Sequence, residues 1–220
     1  MPSQSDLIIE TFPIGALGCN CSLIYSGITR EVLVIDPGND LKTFLKKINE
    51  RALKVKKLIH THAHFDHIGR SYEIKQITGC ALELHKRDLD LYRSLEFQGK
   101  MFGMEVGKPG EVDHFFEDEE PIGIESEGLE NFLQTLHTPG HTPGSCCFYA
   151  EGFSTPILFS GDTLFRGSIG RTDLPGGDFD QIIVSIRQRL LNLPDETLVI
   201  SGHGPKTQIA IEKRQNPFLT

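Results

Sequence analysis

Thr61-His62-Ala63-His64-Phe65-Asp66-His67-Ile68-Gly69 places four potential metal ligands within six residues. The run before it, Val55–Ile59, reads as a β-strand that leads straight into the cluster. His62 and His64 are two apart in extended chain, so their side chains project to the same side and can share one ion. Asp66 and His67 fall where the chain turns into a helix expected from Ile68, so they are aimed differently and can serve a second ion. Imidazole and carboxylate without thiolate suit zinc, iron or manganese, and they argue against a structural zinc knot. A lone histidine is usually structural or on the surface. Four candidate ligands this close together are not explained that way.

Three later positions extend the set. His141 lies in Thr138-Pro139-Gly140-His141-Thr142-Pro143-Gly144, Asp162 in Ser160-Gly161-Asp162-Thr163, and His203 in Ser201-Gly202-His203-Gly204. Each follows an expected strand and is flanked by glycine, which permits tight turns and close backbone approach. Two dications roughly 3.5–4 Å apart can share a water, bring its pKa near neutrality and present hydroxide as a nucleophile. Asp162 can bridge such a pair through its two oxygens. There is no Gly-x-Ser-x-Gly elbow and no glycine-rich phosphate loop. Among the other histidines, His60 is expected to be buried and structural. His85, His114 and His137 are assigned no function.

Outward from the cluster, strands are expected over Leu7–Phe12, Ser22–Tyr25, Val32–Ile35 and Ala81–Leu84, then over Phe132–His137, Cys146–Tyr149, Ile157–Ser160 and Thr197–Ile200. Asp36-Pro37-Gly38-Asn39 is turn chemistry. Asp40 caps a helix whose apolar face is Leu41, Phe44, Leu45 and Ile48. A second helix starts from Lys86. Asp178, with Gln181 three residues on, resembles a capping box before Phe179, Ile182, Ile183, Ile186 and Leu190. A last short helix stops before Pro217. Between Phe97 and Glu120 the pattern dissolves, and this stretch reads as a long loop that can overhang a site. The expected fold class is α/β: two packed sheets with helices outside, in a single domain over 1–220, since no linker or composition shift divides the chain.

The bulk properties exclude several partners. A formal net charge of −8 lacks the basic footprint that nonspecific nucleic-acid binding needs. Met1 to Thr11 shows no basic start before an apolar run, so no signal peptide is expected. No stretch approaches the roughly 18 apolar residues of a membrane span. The cysteines, Cys19, Cys21, Cys80, Cys146 and Cys147, form no Cys-x-x-Cys pair and are expected as reduced thiols in a cytoplasmic protein.

The His-x-His-x-Asp-His motif, followed by a single histidine, a single aspartate and a final histidine, resembles the metallo-β-lactamase superfamily over nearly the whole chain. The resemblance implies an αββα sandwich, two mixed sheets with helices on the outer faces and the metals at one edge. It implies that His62, His64 and His141 hold the first ion, that Asp66, His67 and His203 hold the second, and that Asp162 bridges. Two divalent ions are implied, zinc first, with iron or manganese as alternatives.

Within that superfamily, Thr138 to Gly144 and Gly161-Asp162-Thr163-Leu164-Phe165 resemble the glyoxalase II group, the hydroxyacylglutathione hydrolases. Gly161 to Gly177, Met101-Phe102-Gly103 and Asn216-Pro217-Phe218-Leu219 look like the short bacterial form without the carboxy-terminal helical domain. The implied activity is hydrolysis of a small-molecule thioester, S-lactoylglutathione or a relative. Asp66 and Asp162 are the expected catalytic residues and Arg171 the expected substrate-binding residue. Asp173, and Gly204 with Pro205 after His203, depart from that group: tyrosines and an acidic residue are its rule at these places, which weakens glutathione recognition. Gly170-Arg171-Thr172-Asp173 is also shared with the persulfide dioxygenases of the same fold, which bind one iron. The seven ligand candidates and the Leu174-Pro175-Gly176-Gly177 continuation favour the hydrolase over that enzyme and over a non-catalytic metal-binding module. Asp162, where many β-lactamases carry a cysteine or another ligand, sets the chain apart from them.

Overall fold

Strands that bury both faces need cover on both, and the strands of this chain do so. The computed structural model describes residues 7–125 and 129–220. In it β2 (Cys19–Ser26) sends Leu23 and Tyr25 to one side and Ile24 to the other. The next strand, β3 (Glu31–Ile35), separates Val32 and Val34 from Leu33 and Ile35 in the same way. This period of two fixes four layers. Residues 1–6, the start of the segment read above as carrying no export signal, lie outside the described residues.

The first sheet runs β1 (Leu7–Ile14), β2, β3, β4 (Lys54–Ile59), β5 (Ala81–His85) and β6 (His114–Phe116). It is antiparallel as far as β3 and parallel from there on. The second runs β14 (Thr207–Gln208), β13 (Leu198–Ser201), β10 (Ile157–Gly161), β9 (Cys146–Ala150), β8 (Leu133–His137) and β7 (Pro121–Ile122). Only its β10–β13 pair is parallel. A small hairpin of β11 (Leu164–Phe165) and β12 (Ser168–Ile169) leaves the end of β10.

Between the sheets, Ile24, Leu33, Ile35 and Ile59 meet Phe148, Phe159 and Ile200. Outside the first sheet lie α1 (Leu41–Glu50), through Phe44 and Ile48, and α3 (Ser71–Thr78), through Ile74. Outside the second lie α6 (Phe179–Ser185), its π-helical continuation Ile186–Leu190, and α7 (Ile209–Gln215). The architecture is the αββα sandwich with two mixed sheets. No helix among the described residues is long and apolar enough to cross a membrane.

The caps read from the sequence form. Asp40 accepts from the Thr43 amide at 3.0 Å, and Asp178 accepts from the Gln181 amide at 2.9 Å. The Asp178 amide donates to Gly140 instead of Gln181, so only half of a capping box is present.

The stretch from Phe97 to Glu120, expected as one long loop, is not one. It begins inside α5 (Leu95–Phe102), which follows α4 (Leu89–Arg93), and it contains β6. The buried face of α5 is Leu95, Gln98 and Gly99, while Phe97, Met101 and Phe102 point outward, so its apolar periodicity marks the wrong face. Gly99 sits mid-helix because the returning chain packs on it: a Cβ there would lie 2.7 Å from the Met104 carbonyl oxygen. The helix expected from Ile68 is also split, with the single turn α2 (Phe65–Ile68) standing apart from α3. Gly69 marks the break, since a Cβ there would meet the Phe65 oxygen at 2.2 Å.

Candidate metal centre

All seven ligand candidates converge at one edge of the sandwich, on turns that leave strand ends. His62 and His64 occupy the turn between β4 and α2, Asp66 and His67 lie in α2 itself, and His141 lies between β8 and β9. Asp162 follows β10 and His203 follows β13. Three overlapping groups form: His62, His64 and His141; His62, His67 and Asp162; and Asp66, His67 and His203. Within each group the donor atoms lie within 4.8 Å of one another.

The ring nitrogens that face the site crowd one another and the carboxylates, and His203 Nε2 lies 3.1 Å from Asp66 Oδ2. His64 Nδ1 and His141 Nε2 approach to 2.9 Å, and His67 Nε2 and His203 Nε2 to 3.2 Å. His62 Nε2 and Asp162 Oδ1 are buried with no hydrogen-bond partner. Buried polar atoms are normally satisfied, so orphaned donor atoms in a nest of imidazoles fit a cation. Asp162 lies between the groups: Oδ1 is 3.4 Å from His67 Nε2, while Oδ2 is 3.6 Å from His141 Nε2 and 3.8 Å from His203 Nε2.

The opposite ring nitrogens are anchored, which sets tautomer and orientation. His67 Nδ1 meets Asp36 Oδ2 at 2.9 Å, and His141 Nδ1 donates to the Arg171 carbonyl at 2.7 Å. His203 Nδ1 donates to the Leu17 carbonyl at 3.0 Å, and His62 Nδ1 lies 3.1 Å from Thr61 Oγ1. Four Nε2 atoms are thereby left to face the site.

Electrostatics follow from burial. It holds His62 well below its ordinary pKa, with the facing His67 adding to the effect; it and His141 push His64 down to about 3. Both rings are neutral, the form a metal ligand needs. Burial also opposes a charged His67, but the carboxylates of Asp162, Asp66 and Asp36 outweigh it and raise that ring well above its usual value. Burial opposes a charged Asp66 as well, yet His67 and His203 hold that carboxyl below the ordinary range. Cys19, 3.5 Å from His67 Nδ1, is pushed up to about 12 by burial and stays a thiol.

Two positioning residues were not singled out from the sequence. Asp36 accepts from the Thr61 amide at 2.9 Å and the Thr61 hydroxyl at 2.6 Å, besides its contact with His67. The sequence showed it only as the first residue of a turn, and its φ of 51° is in a region non-glycine residues rarely enter. An acidic residue closing an apolar strand beside the ligand turn was the available signal. Asp88 accepts from the Ala63 amide at 2.9 Å, the Thr142 hydroxyl at 2.8 Å and the Gly144 amide at 2.6 Å, tying two ligand turns together. At the start of a helix it reads as an ordinary cap.

His60 is buried as expected, its nitrogens spent on the Glu83 carbonyl and the Ser71 hydroxyl. The Arg171 side chain lines the mouth of the site, where Asp173 grips its guanidinium through two bonds of 2.8 Å. His85 and His137 stack with centroids 4.2 Å apart, and neither belongs to the ligand groups. A hollow of about 430 Å³ against β7 and β8 is lined by none of the seven candidates. A cavity of about 180 Å³ opens onto His64, Asp66, His141, Asp162 and His203.

Comparisons with known proteins agree with this geometry. The family model of the metallo-beta-lactamase superfamily matches residues 14–203. The hydroxyacylglutathione hydrolase GloC of Haemophilus influenzae is 40% identical over 212 residues, covering 96% of this chain and 97% of that protein. The solved structure of BLEG-1, titled a B3 metallo-beta-lactamase, is 34% identical with a TM-score of 0.86, covering 97% of this chain and all (100%) of its own. That of TTHA1623 in a di-iron-bound form is 35% identical with a TM-score of 0.85, covering 96% of this chain and 100% of its own. From the ligand turns to the layering of its sheets, this chain belongs to the metallo-β-lactamase superfamily and to its metal-dependent hydrolases.

Proposed function

We propose that the protein hydrolyses a small-molecule thioester at a two-metal centre. The observation that carries this reading is a complete nest of seven histidine and aspartate donors in a chain similar, end to end, to a hydroxyacylglutathione hydrolase. His62, His64 and His141 form one ligand set, Asp66, His67 and His203 the other, and Asp162 stands between them. Divalent ions bound there supply water activation near neutral pH and polarisation of the thioester carbonyl.

The chain's own residues do the rest. Asp36, Thr61 and the carbonyls of Leu17 and Arg171 aim the imidazoles. Asp66 and Asp162, which line the cavity, would add negative charge that balances the ions. Arg171 lines the rim, where Asp173 holds its guanidinium. A thiolate leaves readily, so no separate general acid is required. Zinc, iron and manganese all suit the donor set, and the di-iron neighbour supports iron as a fit. Five buried free thiols support a cytoplasmic setting.

The test is elemental analysis on the same preparation used for turnover of S-lactoylglutathione, other thioesters and a cephalosporin. Two metals per chain with thioester turnover is the expected result. One iron per chain with oxygen uptake on a persulfide, or lactam turnover alone, would replace the proposal. Asp162→Ala is expected to lose both metal content and hydrolysis, and two retained ions in that variant would remove Asp162 from its bridging position.

A further inference from the structure

Beside His64 a second cavity of about 260 Å³ opens, adjoining the metal-centre cavity at His64, Phe102 and Leu174, which line both. Its walls are otherwise Leu91, Phe97, Met101 and Pro175, with Ser94 and Gln98. Neither polar residue is available to a ligand. Gln98 accepts from the Phe65 amide and donates to the Ala63 and Leu91 carbonyls, and the Ser94 hydroxyl donates to the Leu91 carbonyl. No lining side chain is a lysine, arginine, aspartate or glutamate.

The apolar walls are unusual in their exposure. Phe97, Met101 and Phe102 are 61%, 54% and 43% exposed on a single helix, α5. Large apolar groups left toward water beside a reaction centre are recovered only when something apolar covers them. The one cation at the mouth, Arg171, is neutralised by its two bonds to Asp173. The site therefore offers little to the carboxylates of an anionic peptide thiol and much to a hydrocarbon chain.

Resting on the thioesterase reading, we infer that the α5 cavity is the subsite for an uncharged alkyl or aryl chain next to the scissile thioester. The substrate class is an apolar-chain thioester, and Phe97, Met101, Phe102 and Leu174 are the specificity-determining residues. The chain can sit on the acyl side or the sulfur side of the bond, and both present the same hydrocarbon to the same wall.

The test uses the full, metal-loaded chain and S-methyl thioacetate, S-methyl thiohexanoate and S-hexyl thioacetate as substrates. Expected is a rise in kcat/KM of roughly fourfold per methylene on one arm, from the burial of each CH₂; the responding arm identifies the side. Met101→Asp should flatten this gradient, whereas Ile77→Asp, an exposed apolar residue on α3, should preserve it. Turnover without any chain-length gradient would overturn the subsite. A direct readout separates this from failure of the thioesterase reading. The chain has three methionines, so with methyl-¹³C labelling the Met101 signal is assigned by its loss in Met101→Leu. Titration with 2-octanone, which cannot be hydrolysed, should shift that signal and leave Met104 in place, whether or not any thioester is cleaved. A Met101 signal that ignores 2-octanone, or moves only with protein concentration, as for a second copy of the chain, would sink the proposal.

Discussion

Asp36 illustrates what a single side chain outside the ligand set can control. One carboxylate holds the Thr61 amide, the Thr61 hydroxyl and His67, so its loss frees a ligand ring and leaves buried donors unpaired. Asp36→Ala is expected to weaken metal affinity about 10- to 100-fold, as for other partners that orient ligands; competition with a chromogenic chelator measures it. His85 makes a pH-dependent contribution. Burial, then the stacked His137 and Arg87, lower its pKa from 6.5 to about 4, and its neutral Nδ1 accepts from the Arg87 amide. The folded pKa is below the unfolded one, so the contribution is present above pH 6.5 and is lost as pH falls through about 4. On the order of 2 kcal/mol should disappear across that window. Urea midpoints at pH 7 and 4.5 in chelator will show it, and His85→Gln should flatten the difference.

The turns are more constrained than the strands and helices they join. Gly202 passes so close to the centre that a Cβ would meet Asp162 Oδ1 at 2.2 Å and His67 Cε1 at 2.8 Å. Gly202→Ala should therefore displace Asp162 and cost metal content, read by elemental analysis, while the far-ultraviolet circular dichroism stays unchanged. Such positions were legible in the sequence because glycine beside a candidate ligand has a physical reason to be there. Helices α1 and α6 were legible because an aspartate caps each and their apolar faces look inward, except that Phe179 at the start of α6 is exposed. Helix α5 was not: its buried face carries a glutamine and a glycine, and its apolar face looks outward. The split at Gly69 was equally hidden, since the Asn39 side chain and Phe65 carbonyl that crowd it come from contacts no local pattern encodes.

Across the molecule, the centre joins the two sheets. His62 to His67 leave the first sheet, and His141, Asp162 and His203 leave the second. The succession of strands and helices in each half predicts two packed sheets, but not their strand order. The parallel β10–β13 pair closes over the β11–β12 hairpin and α6, and its register is set by tertiary contacts. Ions bound across such a seam stabilise the folded state by mass action. At a thousandfold excess over Kd the gain is about 4 kcal/mol. Stripping the metal should accordingly lower Tm on the order of 10 °C for a chain of this size, and calorimetry before and after chelation tests it. A Tm unmoved by chelation would mean that the sheets hold together without the centre. The distance along the chain between the two ligand groups has a bearing on biosynthesis. His67 and His203 are 136 residues apart, which a ribosome takes roughly 7–27 seconds to translate. His141 and Asp162 are made within that interval, but the group of Asp66 and His67 lacks its third member until His203 is added, so the full centre cannot load before then.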